Sequence, residues 1–428
     1  MVLIAVFALP AAGASATVRF ASPSGGTNEP CAPSDPCSLP YAITAAGTND
    51  EVVVSAGTYH VSEPILAGEP LKIRGERAGQ RPLVIGDSGV KSVLESGVKQ
   101  ELSDLSFEST EASLGTLALF GDNSVFDRIQ VVAHGESTAL RPGNSFTLRD
   151  SLLVAAGQNA GALFVQGTET GTSSIRNVTA LASGPESVGI SVSVTKPGAT
   201  ARIDALNTIA SGETDASAAA TSGGAAAIAF DHSNLDKFSD NVSSTNGQTA
   251  LPLFVDAAAG DYREASGSPT IAAGLTDPAN GATDLDGNPR TSTLFSCTTP
   301  QPVVTDIGAY QSQLVAVPAF ACPVARVPNN FRFGRVIRNR RRGTAKLIVR
   351  APTGGVFVLK SGKVRRVKRK AARKGNVVLN LRPKPRALKR LKHRHRMRVH
   401  VRVTFYPNGG KPRTKGKSLT LIRVKKHR

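Results

Sequence analysis

The sequence predicts an all-β protein in two parts, a parallel β-helix followed by a small β-sandwich of immunoglobulin type. Three observations predict it. Aromatic residues make up 5% of the 428 residues and Trp is absent, which suits many short strands better than long amphipathic helices. Five segments repeat one apolar and polar pattern at intervals of two to three dozen residues. Charge then divides the chain: 326–428 holds 36 Lys plus Arg and no Asp or Glu, leaving 16 basic and all 32 acidic residues in 1–325. A net +36 and a net −16 belong in different surroundings, so a domain boundary falls between 325 and 326, near Pro323 to Pro328.

The repeats are "LSDLSF", "FDRIQV", "LRDSLL", "IRNVTA" and "DALNTI", with polar members Asp104, Arg128, Asp150, Asn177 and Asn207 at spacings of 24, 22, 27 and 30 residues. With short Val, Ile and Leu runs and no helical phase, such a period suits a coil of parallel strands in which each turn covers the last. An antiparallel sandwich would instead show turn signals every ~8–12 residues. In register, the five polar residues stack about 4.8 Å apart. Asp104, Arg128 and Asp150 then form a charge-alternating ladder, continued by the amides of Asn177 and Asn207. The ladder reads as structural. Its functional alternative is a catalytic acid beside an arginine, drawn from Asp127, Arg128, Arg149 and Asp150.

Residues 1–16, "MVLIAVFALPAAGASA", are apolar, uncharged and end in small residues, as an export signal does, with cleavage before Thr17. The run falls short of the ~18 residues of a spanning helix. The reading is therefore an extracellular or cell-surface protein and not an integral membrane protein. Four cysteines fit export, because disulfides persist in oxidising compartments. They form two local pairs, Cys31 with Cys37 and Cys297 with Cys322. Neither pair has the spacing of a zinc knuckle.

The basic domain alternates. In "RMRVHVRVTF", Met397, Val399, Val401, Val403 and Phe405 share one face while Arg396, Arg398, His400 and Arg402 share the other. Further alternating runs, "AKLIVR", "GVFVLKS", "KVRRVKR", "NVVLNL" and "SLTLIRV", are separated by turn residues, with a short helix expected at "PRALKRLKH". Six or seven strands in such a span make a small sandwich. Cations two residues apart on a strand lie roughly 7 Å from one another, inside a Debye length of about 8 Å, so their repulsion is only partly screened. A polyanion relieves it. The candidates for that contact are Arg365, Arg366, Lys368, Arg369, Lys370, Arg396, Arg398, His400 and Arg402. Outside a cell the partners available are wall teichoic acid, acidic polysaccharide, lipid headgroups and released DNA. A specific nucleic-acid role is not expected, because the aromatic residues form no stacking platform.

Both ends of the first part resemble known secreted proteins. "CAPSDPCSLPYAITAAGTNDEVVVSAGTYHV" resembles the amino-terminal cap and first coil of bacterial secreted right-handed parallel β-helix proteins, including those with a Cys-Ser-Leu-Arg-Glu-Ala motif. Here Pro40 and Tyr41 stand in place of its Arg and Glu. "LPLFVDAAAGDYREASGSPTIAAG", "TDLDGNPR" and "TDIGAYQ" resemble the closing segment of the choice-of-anchor Q domain, within the pectate-lyase-like superfamily. Ala272 replaces the usual Asp and Gln311 the final acidic residue. The resemblance brackets 17–312 and implies a fold rather than a chemistry, since that superfamily holds lyases, hydrolases and adhesins.

Within the closing segment, Asp284, Asp286 and Asn288 have the spacing of oxygen ligands at the start of a calcium loop. The twelfth position is Phe295, where an EF-hand carries Glu. The stretch therefore reads as tight turns in which Asp284 and Asp286 accept backbone hydrogen bonds or pair with Arg290. No cofactor is expected, with a single Ca2+ as the alternative. His60, His134 and His232 are scattered singly, and no clustered carboxylates mark a hydrolase or lyase. The reading that results is a binding or adhesive protein held to anionic polymers, monomeric by default. The alternative is a lyase or glycoside hydrolase acting on acidic polysaccharide from a face of the coil.

Overall fold

A computed structural model describes residues 16–76, 80–110, 115–293, 303–313 and 327–424. Residues 1–15 of the expected export signal, Cys297 and Cys322 lie outside them. The chain divides into two compact units, 1–317 and 318–428. The boundary expected after 325 falls among the undescribed 314–326.

The first unit is a parallel β-helix whose turns contribute to three sheets, the third of them seven strands long. Its first sheet stacks Glu51–Val54, Leu71–Gly75, Gln100–Ser103, Ser124–Asp127 and the leading halves of Phe146–Ala156 and Gly171–Ser183, every pair parallel. Inward residues form a continuous column: Val52, Ile73, Leu102, Phe126, Leu148, Ile175, Ala205 and Phe230 are laterally adjacent in that order. All are buried. Stacking like on like lets each turn cover the apolar surface of the last, which a single turn has no means of doing alone.

The second sheet stacks Thr58–Val61, Leu83–Gly86, Ser106–Ser109, Gln130–His134 and the trailing halves of Phe146–Ala156 and Gly171–Ser183. From Gln100–Ser103 onward the chain passes from the first sheet to the second through one left-handed residue per turn. These are Asp104, Arg128, Asp150, Asn177, Asn207 and His232, with φ between 42° and 56°. Asn and Asp tolerate that region best. The repeated polar position is thus a corner requirement first and a ladder second. The N-terminal end is closed by the helix Leu39–Thr44, which buries Leu39, Ala42 and Ile43, and by the Cys31–Cys37 disulfide.

Antiparallel pairing between strands of this unit is confined, among the described residues, to the closing segment, as in Phe254–Asp256 with Asp261–Glu264; an isolated antiparallel bridge, Ala32 with Asp35, lies in the N-terminal cap. That segment folds back over the second sheet. Leu285 and Ala309 bury against the outward Leu152 and Val154, with Tyr262 and Tyr310 packed beside them.

The second unit is a sandwich of two antiparallel sheets around a core of its own. One sheet holds Arg332–Asn339, Thr344–Ala351 and Gly375–Leu381. The other holds Val367–Ala371, Gly355–Lys360, Arg396–Pro407 and Arg413–Ile422 in that lateral order. Val399, Val401, Val403 and Phe405 point inward as the alternation requires, against Leu347, Val349 and Leu379 of the facing sheet. The expected helix is Pro385–Arg394. The run "KVRRVKR" becomes a strand only from Val367, so Arg365 and Arg366 precede it. Among the described residues no helix is long and apolar enough to cross a membrane.

Candidate polyanion interface and the closing cavity

The corner ladder forms in two pieces. Arg128 donates to Asp104 at 2.7 and 3.1 Å and to Asp127 at 2.7 Å. Asn207 donates to Asn177 at 2.9 Å, and Asn177 to Asp150 at 3.2 Å. Between the pieces the expected Arg128–Asp150 link is replaced. Asp150 turns inward, fully buried, and takes two bonds from Arg290 at 2.8 and 2.5 Å. Arg290, also buried, spends its remaining donors on the carbonyls of Gly308, Ala309 and Tyr310. Burial raises the Asp150 carboxyl above its ordinary range, and the guanidinium opposes this. Gly281 lies against the same carboxylate: a Cβ there would stand 2.0 Å from Oδ2.

Of the four catalytic candidates, then, Asp127, Arg128 and Arg149 meet, Arg149 lying 3.3 Å from Asp127. Asp150 is removed from them by its burial in the seam. The three that meet carry one negative and two positive charges, balanced by Asp104 on Arg128, and a cleft beside them is lined by Glu76, Arg81, Asp104, Arg128 and Asp286.

The stretch around Asp284 closes the fold by hydrogen bonding. Asp284 accepts from the backbone N–H groups of Asn288 at 2.7 Å and Gln311 at 2.9 Å. Asp306 similarly takes those of Ala272 and Ser312 at 2.7 and 2.6 Å. The N–H of Leu275 donates to Asn207, whose amide donates back to the Leu275 carbonyl. Arg290 pairs with neither Asp284 nor Asp286, because Asp150 holds it. Asn288 is half-buried, and Asp286, exposed overall, borders two clefts that partly desolvate its carboxyl.

The larger of these is a cavity of about 880 Å3, lined by Arg263, Glu264, Asp284, Asp286, Tyr310 and Gln311 among others. Glu264 is the group that inspection of the sequence misses. Both of its oxygens are out of solvent and without a partner at hydrogen-bonding geometry. Burial, reinforced by the neighbouring Asp306, pushes its carboxyl up to about 8, against the Thr270 hydroxyl and Arg290. Burial also raises Asp286, with Asp284 adding to the effect. The cavity wall includes Ala272 at φ 57°, a left-handed conformation that disfavours Ala. Ala272→Asn is expected to stabilise the fold by about 1 kcal/mol, since Asn accepts that conformation more readily. A urea midpoint that does not rise would show that the backbone there carries no strain.

In the sandwich all nine cationic candidates are exposed. Arg396, Arg398, His400 and Arg402 project from one side of Arg396–Pro407. Lys360 lies directly beside Arg402. Lys368 and Lys370 lie on the same face, across Val358 and Val356. Lys360 is a further member that the alternation of "VFVLKS" already implied. With no Asp or Glu in 326–428, none of these cations has a side-chain carboxylate within its own domain.

No family model matches the chain, and no curated protein matches it. Among solved structures it is similar to the crystal structure of pectate lyase Pel9A, at 13% identity and a TM-score of 0.37, over 70% of this chain and 97% of that one. The parallel coil rests on its own strand pairing, independently of that likeness.

Proposed function

We propose that this chain is an exported, surface- or matrix-associated binding protein. Its coil presents a long side surface, and its basic sandwich holds it to an anionic polymer such as an acidic wall or extracellular polysaccharide. The observation that carries this reading is the exposed cationic face of a domain that contains no acid. Repulsion among these cations, partly screened at ~8 Å, costs free energy that a polyanion returns on binding. Solubility asks for far less charge.

The sandwich order supports the immunoglobulin assignment. Numbered along the chain, its strands lie 1-2-5 and 4-3-6-7, the order of a constant-type domain with the fourth strand moved to the other sheet. The export-like leader and the resemblance of both ends of the coil to secreted proteins support a place outside the cell.

A second reading, cleavage of acidic polysaccharide on the coil, has one observation in its favour, the meeting of Asp127, Arg128 and Arg149 beside a cleft. One experiment separates the two. The full chain is incubated with a panel of acidic and neutral polysaccharides, and both retention and new unsaturated or reducing ends are followed. Salt-sensitive retention on the acidic polymers without new ends is the expected result. Equal retention on neutral polymers contradicts the attachment, and new ends would establish the enzymatic reading.

A further inference from the structure

The two outer faces of the sandwich differ, and the difference says how a polymer lies on it. The three-stranded sheet presents Arg332, Lys346 and Arg350. They surround an apolar island of Ile348 with Ile337 and Val378, the last two 44% and 42% exposed. The four-stranded sheet presents a line. Arg396, Arg398, His400 and Arg402 follow one another on every second residue of a single central strand. Lys360 widens the line on one side. On the other side Thr420 and Ser418 stand beside Arg398 and His400.

Alternate residues on a strand repeat at about 7 Å. An extended chain advances roughly 3.5 Å for every three backbone bonds, so a polymer with one charge per six bonds also repeats at about 7 Å. That is the repeat of a phosphodiester joining three-carbon polyol units, and of a sugar–phosphate backbone. Bases would distinguish the second from the first by stacking on aromatic side chains. Among the described residues the face offers two exposed rings, the imidazole of His400 and Tyr406, six residues apart along the strand and so too widely spaced to stack successive bases. Guanidinium groups suit phosphate by their paired donors.

We infer that the outer face of the four-stranded sheet is a track for one extended polyol-phosphate chain, running along Arg396–Pro407 with the first, second and fourth of four consecutive phosphates on Arg396, Arg398 and Arg402 and the third beside His400. This rests on the polyanion attachment proposed above and adds the face, the direction and the chemistry of the polymer.

The test measures binding of the full-length chain to a synthetic glycerol-phosphate polymer as a function of salt. Arg396→Gln/Arg398→Gln/Arg402→Gln is expected to weaken binding and to reduce the slope of log K against log salt by about 2, at ~0.7 per lost phosphate contact. Arg332→Gln/Lys346→Gln/Arg350→Gln removes the same charge from the other face and should leave the slope unchanged. Equal losses in the two triple variants would overturn the track while leaving polyanion attachment standing. No salt-dependent binding by the unaltered chain would overturn the attachment itself. An oligo(dT) of matched charge is expected to bind no more tightly than the polyol phosphate, and tighter oligo(dT) binding would reassign the face to single-stranded nucleic acid. Unchanged thermal melting in both variants keeps these outcomes separate from misfolding.

Discussion

Replacing Arg290 with methionine is expected to destabilise the first unit by about 3–5 kcal/mol, because it strands a buried carboxylate. Asp150 is fully buried, and both bonds it takes from Arg290 go to a single oxygen. Without Arg290, only the Asn177 amide would still donate to it. The loss extends further, since Arg290 also ties three successive carbonyls, 308 to 310, to the coil. The closing segment should therefore lose protection first. Asp150→Asn is expected to be costly for the complementary reason, a buried guanidinium without its counter-ion. The double variant should cost less than the sum of the two, as for any directly coupled pair. Chemical denaturation of the four proteins measures the cycle. Additive losses would mean that the two side chains do not share their energy.

Glu264 gives a second large effect, of opposite sign to that of most carboxylates. Its pKa is raised from 4.5 to about 8 in the folded chain, so the folded state keeps a proton that the unfolded state releases. Stability from this group is greatest below about 4.5. It falls as pH rises towards about 8, and is flat beyond that. Glu264→Gln carries no such proton. It is expected to be more stable than the unaltered chain at pH 9, on the order of several kcal/mol, and close to it at pH 4. Urea unfolding of both proteins across that range isolates the effect, because every other carboxylate is common to the two. Parallel curves would show that the Glu264 carboxyl is solvated.

Much of the architecture was legible because it is periodic. A repeat of two to three dozen residues and strict alternation in "RMRVHVRVTF" are local facts, and burial follows them residue by residue. The ladder positions were legible as polar, yet their reason was hidden. They are left-handed corners, which Asn and Asp signal and which Arg128 and His232 do not. His232 completes the same series, although in the sequence it stands as a singly scattered histidine.

The seam was not legible at all. Asp150 and Arg290 stand 140 residues apart, and nothing local ties one charged residue in a turn-rich stretch to one among five repeats. Glu264 was hidden similarly. In "DYREASGS" it reads as a solvated strand end, and its isolation comes from the surrounding loops. The cationic face of the sandwich is the reverse case, since alternation alone placed Arg396, Arg398, His400 and Arg402 on one side.

The central claim is that an acid-free sandwich grips negative polymers by charge. The most direct measurement is the affinity of the full-length chain for one acidic polymer, by calorimetry, at a series of salt concentrations. A log–log slope of about −2 or steeper is predicted, as several counterions are released on contact. A slope near zero would contradict the account, however tight the binding.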